Sequence, residues 1–390
     1  MNSSHWPSEL LVAEDAAKDP LTLRVIQRLN HLQPEFVSDH GDPLHLGKKK
    51  ESAEEQAERF TAGKKKLLLC RYKGEWMRAC PGTNSHVCCN LWTVNPGEGC
   101  PLDCTYCYLQ SYLKRNPTLK IYSNIEDLIQ AITDRVSSEP SRYFRIGTGE
   151  VIDSLVWDDL TDTSLELVPF FSRLPNAVLE LKTKTANISN LVSEEMLSQG
   201  PRVTSNTVVS WSVNALEINS NDEKLTASFE QRLSAMEQVA SVGYRVGLHF
   251  DPLIHFKGWE DAYSEAVRRI FSRLKDSDIA WISVSSLRYK PEMQEVMEER
   301  FPESSVPYGE QFLAKDGKMR YVQPLRLKMV NFVWNELKKV SNTLPVYMCM
   351  ESSAAWRSIN GGAPIAGEEL KEVFARKARL KVLGDSDHRV

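Results

Sequence analysis

From residue 66 onward, apolar runs of β character alternate with amphipathic stretches at intervals of about 30 to 40 residues. Six strand-like runs stand out: LWTVN (91–95), YFRIGT (143–148), VLELKTKT (178–185), TVVSWSVNA (207–215), RVGLHFDPL (245–253) and IAWISVSSL (279–287). LPVYMCME (344–351) is a candidate seventh. Helical periodicity separates them in IEDLIQAITDRV (125–136), FEQRLSAMEQVASVG (229–243) and GWEDAYSEAVRRIFSRL (258–274). Gly243 suits a helix C-terminus. The alternation predicts an α/β protein of repeated βα units on a parallel sheet. In a βα barrel the chemistry gathers where strands end and loops begin.

Residues 1–65 follow another pattern, polar and mixed in charge, with one amphipathic segment, LTLRVIQRLNHL (21–32). They predict an N-terminal extension, partly flexible. The lysine runs Lys48 to Lys50 and Lys64 to Lys66 meet phosphates or form solvated flanks, and the sequence leaves both open. KLLLCRYKG (66–74) starts a β-rich segment, 66–90, which carries Cys80, Cys88 and Cys89. The barrel takes residues 91–300. A C-terminal extension, 301–390, holds the seventh-strand candidate and Cys349.

A chain of 390 residues buries enough core to need no disulfide staples. It has eight cysteines, no signal-peptide pattern at MNSSHWPSEL and no apolar run of about 18 residues. These features predict a reduced, cytoplasmic protein with no membrane partner, in which cysteine serves metal or redox chemistry. The net charge of −4 gives no global attraction for nucleic acid, so any such contact must come from a local basic face.

The stretch NPGEGCPLDCTYCYLQSYL (95–113) follows the first barrel strand and crowds Cys100, Cys104 and Cys107 onto one loop. Three thiolates so spaced can bind three irons of a [4Fe–4S] cluster. The fourth iron then has no cysteine and is open to the amino and carboxylate groups of S-adenosylmethionine, whose reductive cleavage gives a 5′-deoxyadenosyl radical. A zinc site with a fourth ligand nearby, or three unrelated core cysteines, are the alternatives.

The Cys-x3-Cys-x2-Cys loop resembles that of the radical S-adenosylmethionine superfamily. CTYCYLQ followed by IYSNIEDL is similar to its spore photoproduct lyase branch, as are TK in the third strand, SVNA in the fourth, GWEDAY and RYKPEM. Members closest to this chain also carry CPGT before a CC pair, here ACPGTNSHVCC, and a CMES-type segment, here YMCMESSAAW. The resemblance implies a partial (β/α)6 TIM-type barrel of the radical SAM kind, with a small N-terminal β-rich segment and a C-terminal extension. It implies that Cys100, Cys104 and Cys107 hold the cluster and that Tyr106 packs near the adenine. Gly147, Thr148, Gly149 and Glu150 (GTGE) would receive the amino group of the cofactor, Lys184 would pair with its carboxylate, and Ser212 and Asn214 would bond its ribose or carboxylate end. Read without the resemblance, the same residues are a tight turn, a solvated strand end and strand-end caps.

The branch reverses a methylene-bridged thymine dimer in DNA. A cysteine at the end of the second strand returns the hydrogen, and tyrosines matched here by Tyr106 and Tyr108 help relay it. This chain has Gly147 at the cysteine's position. Cys349, Cys88 and Cys89 are the substitute donors; Cys80, Cys88 and Cys89 with His86 could instead bind a second metal or be inert. His249, Asp251 and His255 at the fifth strand end, and Arg288, Tyr289 and Lys290 after the sixth, are candidate contacts at the barrel mouth. The expected partners are DNA with a pyrimidine lesion, or a small-molecule substrate, and an electron donor such as flavodoxin or ferredoxin. Two other classes stay open: a radical enzyme on a small metabolite or natural-product precursor, and a non-catalytic iron–sulfur or zinc protein.

Overall fold

The computed structural model describes residues 7–38, 51–80, 82, 86–200, 202–359 and 373–375. Lys48 to Lys50, and Pro81 and Thr83 of the CPGT string, lie outside the described residues. All seven expected barrel strands are present and pair in parallel in chain order: Leu91–Thr93, Phe144–Gly147, Ala177–Thr183, Thr207–Ser212, Arg245–Leu253, Ile279–Ser286 and Val346–Met348. Arg78–Ala79 adds an antiparallel edge beside the first strand. The sheet is open, a curled half-barrel. Its central strands are buried on both faces, every residue of Ile279–Ser286 included, which is why they read as apolar runs and not as alternating ones.

The helices form where the periodicity puts them. Ile125–Ser138 buries Ile125, Leu128, Ile132 and Val136 on one stripe. Phe229–Ser241 starts with a capping box between Ser228 and Gln231, and Gly243 follows it with φ +101, the left-handed region that only glycine enters cheaply. In the C-terminal extension the helix Gln323–Val340 packs its Met329, Val330, Val333 and Leu337 inward, against the sixth strand and the helix Trp259–Phe271. Phe374 returns to the barrel beside Trp281 and Tyr347.

The N-terminal stretch differs from the expected extension. Glu9–Ala13 and Pro34–Val37 join Lys66–Cys70 and Leu119–Tyr122 in a second, largely parallel sheet of order Pro34–Val37, Glu9–Ala13, Lys66–Cys70, Leu119–Tyr122, Gly97–Glu98. The β-rich segment 66–90 is therefore divided: Lys66–Cys70 belongs to this sheet and Arg78–Ala79 to the barrel edge. These strands did not show in the sequence because short edge strands alternate weakly. Pro34–Val37 is half-buried to exposed, so its pattern carries no burial signal.

Candidate active site

After the first barrel strand the chain crosses to the N-terminal sheet at Gly97–Glu98 and returns as the short strand Asp103–Cys104, which pairs antiparallel with Glu223–Lys224. Gly99 donates its N–H to the Val151 carbonyl at 2.8 Å, tying the loop to the segment beyond the second strand. Its φ is +87, and a Cβ there would lie 2.9 Å from Leu119 Cδ2. Cys100 follows at once. The Cys107 N–H closes a turn on the Cys104 carbonyl at 3.1 Å, and the helix Leu109–Tyr112 begins. The three cysteines thus lie across the carboxyl end of the half-barrel, Cys104 buried and the others half-buried.

Burial pushes the Cys104 thiol up to about 12 and Cys100 well above its ordinary value. Three thiolates here need a strong cationic partner, which a soft metal centre supplies. Among the described residues no three His, Cys, Asp or Glu side chains converge on one point to hold a single ion. Thiols that bind separate corners of a cluster need not converge.

Tyr106 and Lys184 face the loop together. The Lys184 ammonium stands 4.9 Å from the Tyr106 ring centroid and 3.7 Å from the Glu223 carboxylate. The Tyr106 hydroxyl donates to Glu223, and Arg232 reaches that carboxylate at 2.6 Å. Glu223 is fully buried; burial alone would raise its pKa, but Arg232, then Lys184, hold it down to about 2. Asp153 fixes the Lys184 backbone, accepting from its N–H at 2.7 Å and from Thr183 Oγ1 at 2.8 Å.

Across from Lys184, the turn after the second strand brings Glu150 to the loop, where its carbonyl accepts from the Tyr108 hydroxyl. Glu150 Oε2 and Asn95 Oδ1 are buried acceptors with no partner. Burial raises the Glu150 pKa. Two orphaned acceptors beside a cluster loop fit a bound ammonium group, as the cofactor's amino group would supply. Thr148 is tied to Ser154 Oγ at 2.8 Å. Gly149 is packed so tightly that a Cβ would lie 2.9 Å from the Lys182 carbonyl oxygen, a backbone atom that cannot swing aside. Gly149→Ala is expected to lower stability by about 1–3 kcal/mol, visible as a reduced melting temperature.

The other expected site residues have these partners. Ser212 is buried, and its carbonyl accepts from Arg232 at 2.8 Å. Asn214 is occupied by the fold, donating to the Pro252 carbonyl at 3.0 Å and accepting from Tyr263 at 2.6 Å. His249 lies inside the barrel, 2.8 Å from Glu180, and burial pushes its pKa below the ordinary value. Asp251 pairs with Arg288 at 2.9 Å. His255 meets Trp259 at a tilt and Tyr321 edge-on, and its backbone N–H donates to the Tyr321 hydroxyl at 3.0 Å. Tyr289 is buried, in the short strand that carries Arg288, and pairs with Met319.

The distant cysteines meet. His86 and Ser352 form an antiparallel bridge, and the Val87 N–H donates to the Glu351 carbonyl at 3.1 Å. The segment before the first strand and the segment after the seventh are thereby joined, and the antiparallel register sets Cys89 opposite Cys349. Cys80 lies within electrostatic reach of Glu150, Cys349 and Cys88.

A curled parallel half-barrel with a three-cysteine loop across its carboxyl end is the architecture that these observations define. The family model for spore photoproduct lyase matches residues 85–343, more than half of the chain. The chain belongs to the spore photoproduct lyase family. The spore photoproduct lyase of Geobacillus sp. (strain Y412MC61) is 26% identical over 224 residues, which are 56% of this chain and 63% of that protein. That of Bacillus subtilis (strain 168) is 24% identical over 216 residues, 55% of this chain and 61% of that one. The chain thus covers less than two thirds of the length of these two relatives. In fold it is similar to a spore photoproduct lyase complexed with dinucleoside spore photoproduct, with TM-score 0.75 and 19% identity over 88% of this chain and 99% of the other. A variant with bound AdoMet and dinucleoside spore photoproduct gives the same score and identity, over 88% and 98%.

Sequence reasoning missed Glu223, Arg232, Asp153, Glu180 and Arg145. Glu180 and Arg145 did leave a signal, as lone charges inside apolar strand runs. Glu223 left none, because NDEKLT reads as a solvated loop.

Proposed function

We propose that this chain holds a [4Fe–4S] cluster on Cys100, Cys104 and Cys107, binds S-adenosylmethionine beside it, and repairs a methylene-bridged thymine photoproduct in DNA. The observation that carries this is the cysteine loop laid over the strand ends with Lys184 on one side and the orphaned Glu150 and Asn95 acceptors on the other. When bound, cluster and cofactor supply a 5′-deoxyadenosyl radical. Lys184 would pair with the cofactor carboxylate and Glu150 with its amino group, on the turn that Gly147 and Gly149 let pack closely against the neighbouring strands. Ser212 would border the ribose; Asn214 would act only by bracing that strand end. Tyr106 would wall the adenine side, and Tyr108, 42% exposed, would face the substrate. An acidic one-electron carrier of the flavodoxin or ferredoxin class, in a reducing cytoplasm, would supply the electron. Among the described residues no helix is long and apolar enough to cross a membrane.

A hairpin beside the mouth supports nucleic acid as the substrate. Phe312–Leu313 pairs with Met319–Arg320, which pairs in turn with Arg288–Tyr289. The Phe312 and Leu313 side chains stand in solvent, 56% and 65% exposed, at the base of a turn carrying Lys315 and Lys318. Apolar side chains flanked by lysines suit insertion between bases and contact with phosphates. Replacing both Phe312 and Leu313 by Ala is expected to weaken binding of lesion-bearing DNA by about 1–3 kcal/mol with the melting temperature unchanged, as read by fluorescence anisotropy.

The test of the function is anaerobic. The reconstituted, reduced protein is given S-adenosylmethionine with and without ultraviolet-irradiated spore-type DNA, and lesion-stimulated 5′-deoxyadenosine is expected. The net charge of −4 and the absence of a thiol at Gly147 favour a second reading, a radical enzyme on a small metabolite. Formation of 5′-deoxyadenosine that is indifferent to lesion DNA selects it.

A further inference from the structure

The second barrel strand ends at Gly147 without a thiol, yet thiols gather where the open half-barrel is laced together. The His86–Ser352 bridge and the bond from Val87 to Glu351 bring the two chain segments side by side. Ser285 Oγ holds the Cys349 carbonyl at 2.9 Å, and Arg288 holds Ser285 Oγ at 2.8 Å, so the Cys349 backbone is fixed from the sixth strand. Both residues are half-buried. Arg145 is buried within electrostatic reach of Cys89, and its Nη1 has no hydrogen-bond partner. Cys80 is within electrostatic reach of Cys349 and also of Glu150 and Tyr108, on the cofactor side of the mouth.

We propose that Cys89 and Cys349 act as one hydrogen-donating unit: Cys349 gives up the hydrogen atom that ends the radical reaction, and Cys89 shares the sulfur radical left behind. This rests on the radical chemistry proposed above and adds which sulfur atoms close it.

The two sulfurs differ in the way such a pair requires. The neighbouring Cys349 thiol, and then the Arg145 charge, lower the Cys89 pKa even though burial opposes them. The neighbouring Cys89 sulfur, then burial, raises Cys349 well above the ordinary thiol value, so Cys349 keeps its hydrogen. A carbon radical of the substrate takes that hydrogen atom, so one C–H bond forms and one S–H bond breaks. The Cys349 thiyl then joins the Cys89 sulfur in a three-electron S–S bond of charge −1, as the Cys89 proton leaves to solvent. One electron from the low-potential carrier and two protons from solvent restore the two thiols. A lone cysteine has no neighbour over which to spread the radical.

Two measurements on the full-length protein decide the matter. Oxidation of the reduced protein with diamide, followed by peptide mass spectrometry, is expected to give a Cys89–Cys349 disulfide as the main cross-link. In deuterated water, the reconstituted enzyme acting on dinucleoside spore photoproduct is expected to put deuterium into the thymine product. The ratio of deuterium incorporated to 5′-deoxyadenosine formed should fall at least about tenfold in both Cys89→Ala and Cys349→Ala. Cys349→Ser keeps the size of the side chain with an O–H bond too strong to donate, and it should behave as the alanine variant does. A missing cross-link, or a ratio retained in either variant, overturns the pairing. Absence of 5′-deoxyadenosine from the wild type overturns the radical chemistry itself.

Discussion

Cys104→Ala is expected to abolish both the brown absorption of the reconstituted cluster and the cleavage of S-adenosylmethionine. Cys104 is the most buried of the three loop cysteines and sits in the short strand opposite Glu223, within electrostatic reach of Lys184. Without it two thiols remain, 7 positions apart in sequence from Cys100 to Cys107, and the loop loses its central anchor. Removing one sulfur leaves only a small cavity, so the fold should survive. An unchanged far-ultraviolet spectrum separates loss of the cluster from loss of the protein. Cys70→Ala is the contrast: that thiol is buried in the N-terminal sheet and is not part of the loop, and its replacement should leave the chromophore in place. Iron and sulfide content, the visible spectrum and 5′-deoxyadenosine by chromatography read the outcome.

Glu180→Gln should be the most damaging substitution in the barrel interior. The Glu180 carboxylate accepts from Arg145 Nε at 2.8 Å, His249 at 2.8 Å, Ser210 at 2.7 Å and Trp281 at 2.8 Å. Arg145 is 2% exposed, and Glu180 is its buried counter-charge. An amide in its place leaves a guanidinium buried and uncompensated, at a cost of about 3–5 kcal/mol. The effect has a defined pH dependence. Burial would raise the Glu180 pKa, but Arg145 and then His249 hold it far below the usual carboxylate range. A depressed folded-state pKa contributes stability that is fully present above the unfolded value of about 4.3 and is lost as the pH falls below it. The gap between wild type and variant should therefore be full at pH 7 and narrow on acidification below about pH 4. Urea unfolding at several pH values measures it.

Some parts of this molecule were legible in its sequence and others were not, for identifiable physical reasons. The seven barrel strands showed because strands buried on both faces must be apolar throughout, as Ile279–Ser286 is. The cysteine loop showed because metal-ligating thiols on one loop need fixed spacing. The N-terminal sheet stayed hidden: its edge strand Pro34–Val37 has no buried face to impose a pattern. Glu223 was hidden because its partners Arg232 and Lys184 come from separate βα units, and a charge looks solvated until those units fold around it. The pairing of Cys89 with Cys349 could not be read either, since 260 residues separate them and only the lacing of the open barrel brings them together. His249 failed in the opposite sense. It stands at an expected strand end, but its side chain points to Glu180 in the interior and not to the mouth.

The most direct measurement is single-turnover repair under strict anaerobiosis. Purified protein, reconstituted with iron and sulfide and reduced with dithionite, is mixed with S-adenosylmethionine and dinucleoside spore photoproduct, and both 5′-deoxyadenosine and unmodified thymidine are quantified. A cluster held by Cys100, Cys104 and Cys107 next to Lys184 and Glu150 should yield both products, and neither in Cys104→Ala. Wild-type protein that binds iron yet forms no 5′-deoxyadenosine would contradict the proposed chemistry at its root.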